Sequence, residues 1–127
     1  MGLLQSLSAG LIPLLIFVIC GFLFRIGLPR KVNWWAGYRT SFACKNQETW
    51  AFAHRYVGKL WIVLGFILLA LFIVAMVVIE RGSSTLEPLV VLPVTVVAVI
   101  VTIIITIILT EIALRKEFDK NGERKNK

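Results

Sequence analysis

The chain has 127 residues, of which 58% are hydrophobic, and it carries a formal net charge of +7. A soluble domain of this length cannot bury so large an apolar fraction, so the composition excludes a soluble globular protein and makes lipid the solvent for much of the chain. In a membrane protein, positive charge gathers in loops and tails and reports orientation, so it does not indicate nucleic-acid binding. Two cysteines without a CxxC motif and a single histidine fall short of a structural zinc site, so we expect no metal and no cofactor.

Three long apolar segments predict an all-α membrane protein with three transmembrane helices, formed by residues 1–127 as a single domain. The first span covers about residues 7–27 and ends before Pro29. The second covers about residues 56–79, as the continuation of a helix that begins near Asn46, a favourable N-cap.

The third span covers about residues 86–110, with Pro88 in its first turn. It is rich in valine and isoleucine, but an unbroken apolar run of this length favours a membrane helix over a strand. Residues 80–84 leave room only for an antiparallel turn between the second and third spans. We expect the charged tail, residues 111–127, to fray in water.

Four threonines of the third span are separated by seven, four and four residues and therefore share one face: Thr95, Thr102, Thr106 and Thr110. Their hydroxyls can bond to their own helix or to a neighbouring one. We expect local bonding and packing rather than a polar pathway.

Basic residues are distributed unevenly around the spans. Residues 28–46, the first loop, hold seven together with the flanking helix turns: Arg25, Arg30, Lys31, Arg39, Lys45, Arg55 and Lys59. The turn after the second span holds only Arg81, whereas the tail holds six. Because basic residues favour the cytoplasmic side, we predict an N-terminus outside, a first loop inside and a cytoplasmic C-terminus.

Polar and aromatic groups concentrate in the first loop and the helix start that follows it, residues 28–58. Five residues of this helix share one stripe, because they are separated by four, four, three and four positions: Trp50, His54, Gly58, Trp61 and Gly65. The glycines allow another helix to approach closely, and the histidine and tryptophans bring N–H groups to the same seam. Glu48 is predicted to pair with Arg39 or Arg55, because a carboxylate beside a low-dielectric region needs a counter-charge.

Each of these residues also has a structural interpretation. His54 can be a hydrogen-bonded interfacial residue, Glu48 can cap a helix, and the tryptophans can anchor the chain at the membrane surface. Gly37 can supply a backbone conformation that other residues avoid.

The polar stretch also carries a recognisable motif, Asn33-Trp34-Trp35-Ala36-Gly37-Tyr38-Arg39-Thr40, followed by Glu48, Trp50, His54 and Gly58. Over about residues 20–80 it resembles the SdpI family, small bacterial membrane proteins named for a protein that gives immunity to a secreted killing peptide. We expect the chain to be the short form of this family, a single module. The resemblance implies a protein of the bacterial cell membrane that gives immunity to a membrane-active peptide toxin.

The binding residues that follow from the motif lie in the first loop and the helix start: Asn33, Trp34, Gly37, Tyr38, Arg39, Thr40, Glu48, Trp50, His54 and Gly58. The expected partners are the lipid bilayer, a hydrophobic peptide toxin, a cytoplasmic regulator and further copies of the chain in a homo-oligomer.

Three functions remain open, of which a non-catalytic one is favoured. A toxin would be bound between spans, with the seam of Trp50, His54 and Gly58 as its contact. An intramembrane peptidase would use Glu48 as general base and His54 or Arg39 to stabilise the oxyanion, although no nucleophile elbow or HExxH motif is present. A small transporter or channel subunit would need a homo-oligomer, and the absence of a charge within the spans counts against it.

Overall fold

The computed structural model describes residues 3–33, 37–81 and 88–125 and consists of three α-helices in these ranges: α1 (Leu3–Arg25), α2 (Gln47–Arg81) and α3 (Pro88–Glu117). Each helix is long and apolar enough to cross a membrane. The described residues contain no strand beyond one isolated bridge. The predicted class, an all-α membrane protein with three transmembrane helices, is confirmed.

The ends of α1 and α2 follow from local backbone chemistry. After α1, Gly27 adopts a φ of +100°, and the Leu28 N–H donates to the Leu23 carbonyl at 3.0 Å, which satisfies one of the last free carbonyls of the helix. At the start of α2, Oδ1 of Asn46 accepts the Thr49 N–H at 2.9 Å, and the Asn46 N–H donates to the Thr49 hydroxyl at 3.1 Å. This reciprocal cap fits the predicted helix start at Asn46.

Helices α1 and α2 approach closely where glycines face the neighbouring helix. A Cβ atom at Gly58 would lie 2.4 Å from the Arg25 nitrogen and 2.7 Å from the Gly21 carbonyl oxygen. Further along α2, a Cβ at Gly65 would lie 2.5 Å from Cγ2 of Val18. The glycine-bearing part of the stripe predicted on α2 therefore faces α1.

The threonine face of α3 points into the bundle and forms mainly local bonds. Thr95, Thr102 and Thr106 are buried, and each hydroxyl donates to the carbonyl four residues earlier at 2.8–2.9 Å. The indole N–H of Trp61 donates to the Thr106 hydroxyl at 3.2 Å and so connects α2 with α3. The hydroxyl of Thr110 is buried and, within the described part of the chain, has no hydrogen-bond partner. The first three threonines of this stripe therefore form the local hydrogen bonds that the sequence predicts.

The chain beyond α3 differs from its prediction, because α3 continues past residue 110 to Glu117 and the tail folds back instead of fraying. A bridge joins Phe118 to Arg124, and the Asp119 N–H donates to the Glu123 carbonyl at 2.7 Å. We call residues 118–125 the tail hairpin. Burial explains the difference, since the Phe118 side chain is only 1% exposed. Helix α2 continues to Arg81, so the first two residues of the turn predicted at 80–84 are helical, while residues 82–84 and the start of the third span at 86 lie outside the described residues.

Replacing Gly58 by alanine should destabilise the α1–α2 pair. Alanine gains about 1 kcal/mol in helix propensity over glycine, but its methyl group would overlap backbone atoms of α1, and overpacking costs about 1–3 kcal/mol. We therefore expect a net loss of stability, measured by unfolding in mixed detergent micelles followed by circular dichroism. The matched control is Lys59→Ala, an exposed neighbour on the same helix. Equal stability of both variants would contradict the close packing described here.

Candidate pocket between the first loop and the helices

A pocket of about 300 Å³ lies between the first loop and all three helices. Its loop wall consists of four consecutive motif residues: Gly37, Tyr38, Arg39 and Thr40. Its helix walls come from α1, α2 and α3 and are mostly apolar: Phe24, Val57, Trp61, Ile103, Thr106 and Ile107. All three helices and the motif therefore meet at one cavity with an apolar lining and a polar edge.

His54 attaches the loop wall to α2 through a hydrogen bond to the Tyr38 backbone. Its ring is 1% exposed, Nε2 accepts the Tyr38 N–H at 2.9 Å, and Nδ1 lies 2.9 Å from the Trp50 carbonyl oxygen. The carbonyl only accepts, so Nδ1 carries the proton and Nε2 is the acceptor, which is the neutral imidazole. The Phe24 ring stands edge-on to the His54 ring with centroids 5.3 Å apart. His54 thus positions the loop and does not line the pocket.

Trp50 provides a second attachment. Its side chain is fully buried, and its indole N–H donates to the Pro29 carbonyl at 2.7 Å. Its ring packs on His54 with centroids 4.1 Å apart. The two aromatic residues hold the first loop at its beginning and at its middle.

Gly37 can lie directly against the His54 ring because it has no side chain. Its φ is +105°, a conformation that residues with a Cβ rarely adopt, and a Cβ there would lie 2.5 Å from Nε2 of His54. The interpretation of Gly37 as a special backbone position agrees with this geometry.

Tyr38 connects the loop to α3 through Glu111, a residue that lies outside the sequence motif. The phenol O–H donates to Oε1 of Glu111 at 2.8 Å. Burial raises the pKa of Tyr38 well above its ordinary value, and the neighbouring Glu111 carboxylate raises it further, so the phenol stays protonated as a donor. The position of Glu111, an acidic residue directly after the apolar segment of the third span, is the sequence feature that could have indicated it.

The structure separates the remaining predicted residues from the pocket. Gly58 lies in the α1–α2 seam, and the Asn33 amide donates to the Lys31 carbonyl at 3.0 Å. Trp34 lies outside the described residues. Of the predicted binding residues, four form the loop wall, and Trp50 and His54 support it from within.

Two expectations need correction. The seam of Trp50, His54 and Gly58 is not an open contact surface, because α1 packs against Gly58 and both aromatic rings are buried. Oε1 of Glu48 lies 3.6 Å from Nε of Arg124, so its ion pair is with the tail and not with either predicted arginine. A frayed tail, as the sequence predicts, would not supply this partner.

The pair proposed for a peptidase does not share a site. The Glu48 side chain is 61% exposed and faces the tail hairpin, whereas the His54 ring is buried and both of its nitrogens are engaged. This arrangement gives no support to a general base and an oxyanion donor acting on one substrate.

Replacing His54 by phenylalanine should release the loop wall. The ring volume is kept and the Trp50 carbonyl keeps its bond within α2, but the Tyr38 N–H loses its acceptor, and a buried donor left without a partner costs about 1–3 kcal/mol. We expect lower stability in detergent and faster proteolysis within the first loop. Arg55→Ala, at the exposed neighbouring position, is the control and should behave as the wild type. Unchanged proteolysis of His54→Phe would show that the loop does not depend on this ring.

The sequence match identifies the family. Residues 30–110, more than half of the chain, match the model of the SdpI/YfhL protein family, and this range contains the motif that forms the loop wall. No curated protein and no solved structure matches the chain. The suspected family is confirmed, and with three membrane-spanning helices the chain is a multi-pass membrane protein that belongs to the SdpI/YfhL family.

Proposed function

We propose that this protein gives a bacterial cell immunity to a membrane-active peptide toxin by binding an apolar part of that peptide in the pocket. Family membership supports a membrane protein of the immunity type in general. The specific part of the proposal is carried by one observation, that the motif residues of the first loop and side chains of all three helices enclose the same cavity.

The size and lining of the pocket favour part of a hydrophobic peptide as the ligand. About 300 Å³ is at the small end of ligand pockets, which run from roughly 300 to 1,000 Å³. Such a volume suits one or a few side chains, not a whole toxin. Phe24, Ile103 and Ile107 supply apolar contacts, and the exposed Arg39 provides a guanidinium at the edge.

Recognition without catalysis is the favoured mechanism. Arg39 and Thr40 line the pocket with polar side chains, and a peptide backbone needs hydrogen bonds there because lipid offers none, whereas both Tyr38 donors are used within the protein by His54 and Glu111. Binding would hold the peptide against the protein and keep it from assembling in the bilayer. With the first loop predicted inside the cell, the ligand would be a peptide that inserts deeply from the outer surface.

Filling the pocket should abolish protection. Ile103 lines it, whereas the adjacent Ile104 is exposed on the outside of α3, so Ile103→Trp and Ile104→Trp add the same bulk at neighbouring positions. Cells that make each variant are challenged with a panel of hydrophobic bacterial killing peptides, and survival is scored at matched protein levels in the membrane. We expect Ile104→Trp to protect as the wild type does. Cells with Ile103→Trp should be killed at a peptide concentration at least about tenfold lower than cells with the wild type, since each 1.4 kcal/mol is tenfold in affinity.

Equal protection by the two variants would remove the pocket from the mechanism. Protection by neither the wild type nor either variant against any peptide of the panel would count against immunity itself.

The predicted orientation is tested independently. Ser41 is exposed in the first loop, so Ser41→Cys in a background with Cys20→Ala and Cys44→Ala provides a single reactive thiol. We expect a maleimide that cannot cross membranes to leave intact cells unlabelled at this position and to react after permeabilisation. Labelling in intact cells would place the first loop outside and reverse the topology.

A further inference from the structure

The tail hairpin is an ordered turn stabilised by hydrogen bonds within its own residues. Oδ1 of Asp119 accepts the N–H groups of Asn121 at 2.8 Å and Glu123 at 3.0 Å. Gly122 takes a φ of +84° at the bend. The hairpin therefore has a defined shape with which to contact the rest of the chain.

Polar groups attach this hairpin to the start of α2. The Asn46 side chain donates through Nδ2 to the Gly122 carbonyl at 2.8 Å while its Oδ1 caps α2, so one amide connects the two elements. The Lys45 ammonium donates to the Lys120 carbonyl. Arg124 forms ion pairs with both Glu48 of α2 and Glu117 of α3.

An apolar contact supports the same attachment. Phe118 is 1% exposed and belongs to a small buried cluster with Phe42, Ala43, Ala53 and Leu114. Its ring stands edge-on to Phe52 with centroids 5.5 Å apart. Two members of this cluster, Phe42 and Ala43, belong to the first loop.

The loop segment that touches the hairpin is bonded directly to the loop wall of the pocket. The Ala43 N–H donates to the Thr40 hydroxyl at 3.3 Å, and the Cys44 N–H donates to the Thr40 carbonyl at 3.1 Å. Thr40 lines the pocket. A displacement of residues 42–45 would therefore be passed on to Thr40.

We propose that the tail hairpin is a clamp that holds the first loop against α2 and α3 and thereby keeps the loop wall of the pocket in place. Arg124, Asn46 and Phe118 are its positioning residues. Release of the hairpin loosens residues 40–45 without unfolding the helices, because the clamp contacts lie near the start of α2 and the end of α3. This inference depends on the contacts of the tail and not on the ligand of the pocket, so it goes beyond the proposed immunity function.

Cys44 is a natural reporter for the clamp. Its thiol is half-buried in the clamped segment, and Cys20→Ala leaves it as the only cysteine. The rate of its reaction with a maleimide is measured on the full chain in detergent micelles, where membrane orientation has no influence. Helix content is followed by circular dichroism on the same samples.

Arg124→Ala and Asn46→Asp should each raise the labelling rate about fivefold, the change in a local opening equilibrium expected for the loss of one hydrogen bond or ion pair. Asn46→Asp keeps an oxygen that caps α2, so the helix cap is retained while the bond to the Gly122 carbonyl is lost. Phe118→Ala should raise the rate further. Lys120→Ala is the matched control: it also removes one positive charge from the hairpin, its side chain is exposed, and it leaves the carbonyl that Lys45 uses.

Labelling of Arg124→Ala and Asn46→Asp at the rate of Lys120→Ala would overturn the clamp. So would faster labelling accompanied by loss of helix content, because that result would mean global unfolding and not local release. Toxin is absent from this assay, so failure of the clamp and failure of the immunity proposal remain distinguishable.

Discussion

The hydrogen bond from the Tyr38 N–H to the His54 ring is the constraint on which the pocket depends. It closes a chain of contacts in which the same ring also donates to the Trp50 carbonyl, and the Trp50 indole donates to the Pro29 carbonyl. Only a neutral imidazole with a single proton satisfies both partners at once. The residue with the most obvious chemical reactivity in the sequence is therefore occupied in holding the backbone of the loop.

This use of polar side chains follows from the solvent. Lipid cannot hydrogen-bond to the chain, so polar groups near the membrane have to find partners within the protein. Trp61 and Thr106 do so between two helices, and Thr102 does so within its own helix. The concentration of tryptophan, histidine and threonine in this sequence is consequently more a sign of internal support than of a large binding surface.

The sequence predicted well whatever depends on local order. The three helices, the cap at Asn46 and the back-bonding of the threonines follow from length, residue type and spacing. Contacts between distant segments were missed: Tyr38 meets Glu111 across 73 positions, and Asn46 meets Gly122 across 76. Neither spacing nor composition encodes such pairings. For that reason the predicted ion-pair partners of Glu48 and the predicted fraying of the tail were wrong. The seam on α2 was correctly read as a surface for close approach, but its occupant is α1.

The glycine contacts between α1 and α2 also determine how the cavity can change its volume. Gly58 abuts the backbone of α1, so these two helices cannot slide or rotate against each other at this point without collision, and they form the more closely packed half of the helix bundle. The connections of α3 to that half near the cavity run through individual side chains, such as the Trp61–Thr106 bond. An occupant too large for the resting cavity would therefore be accommodated by an outward tilt of α3, with the other two helices serving as the fixed frame.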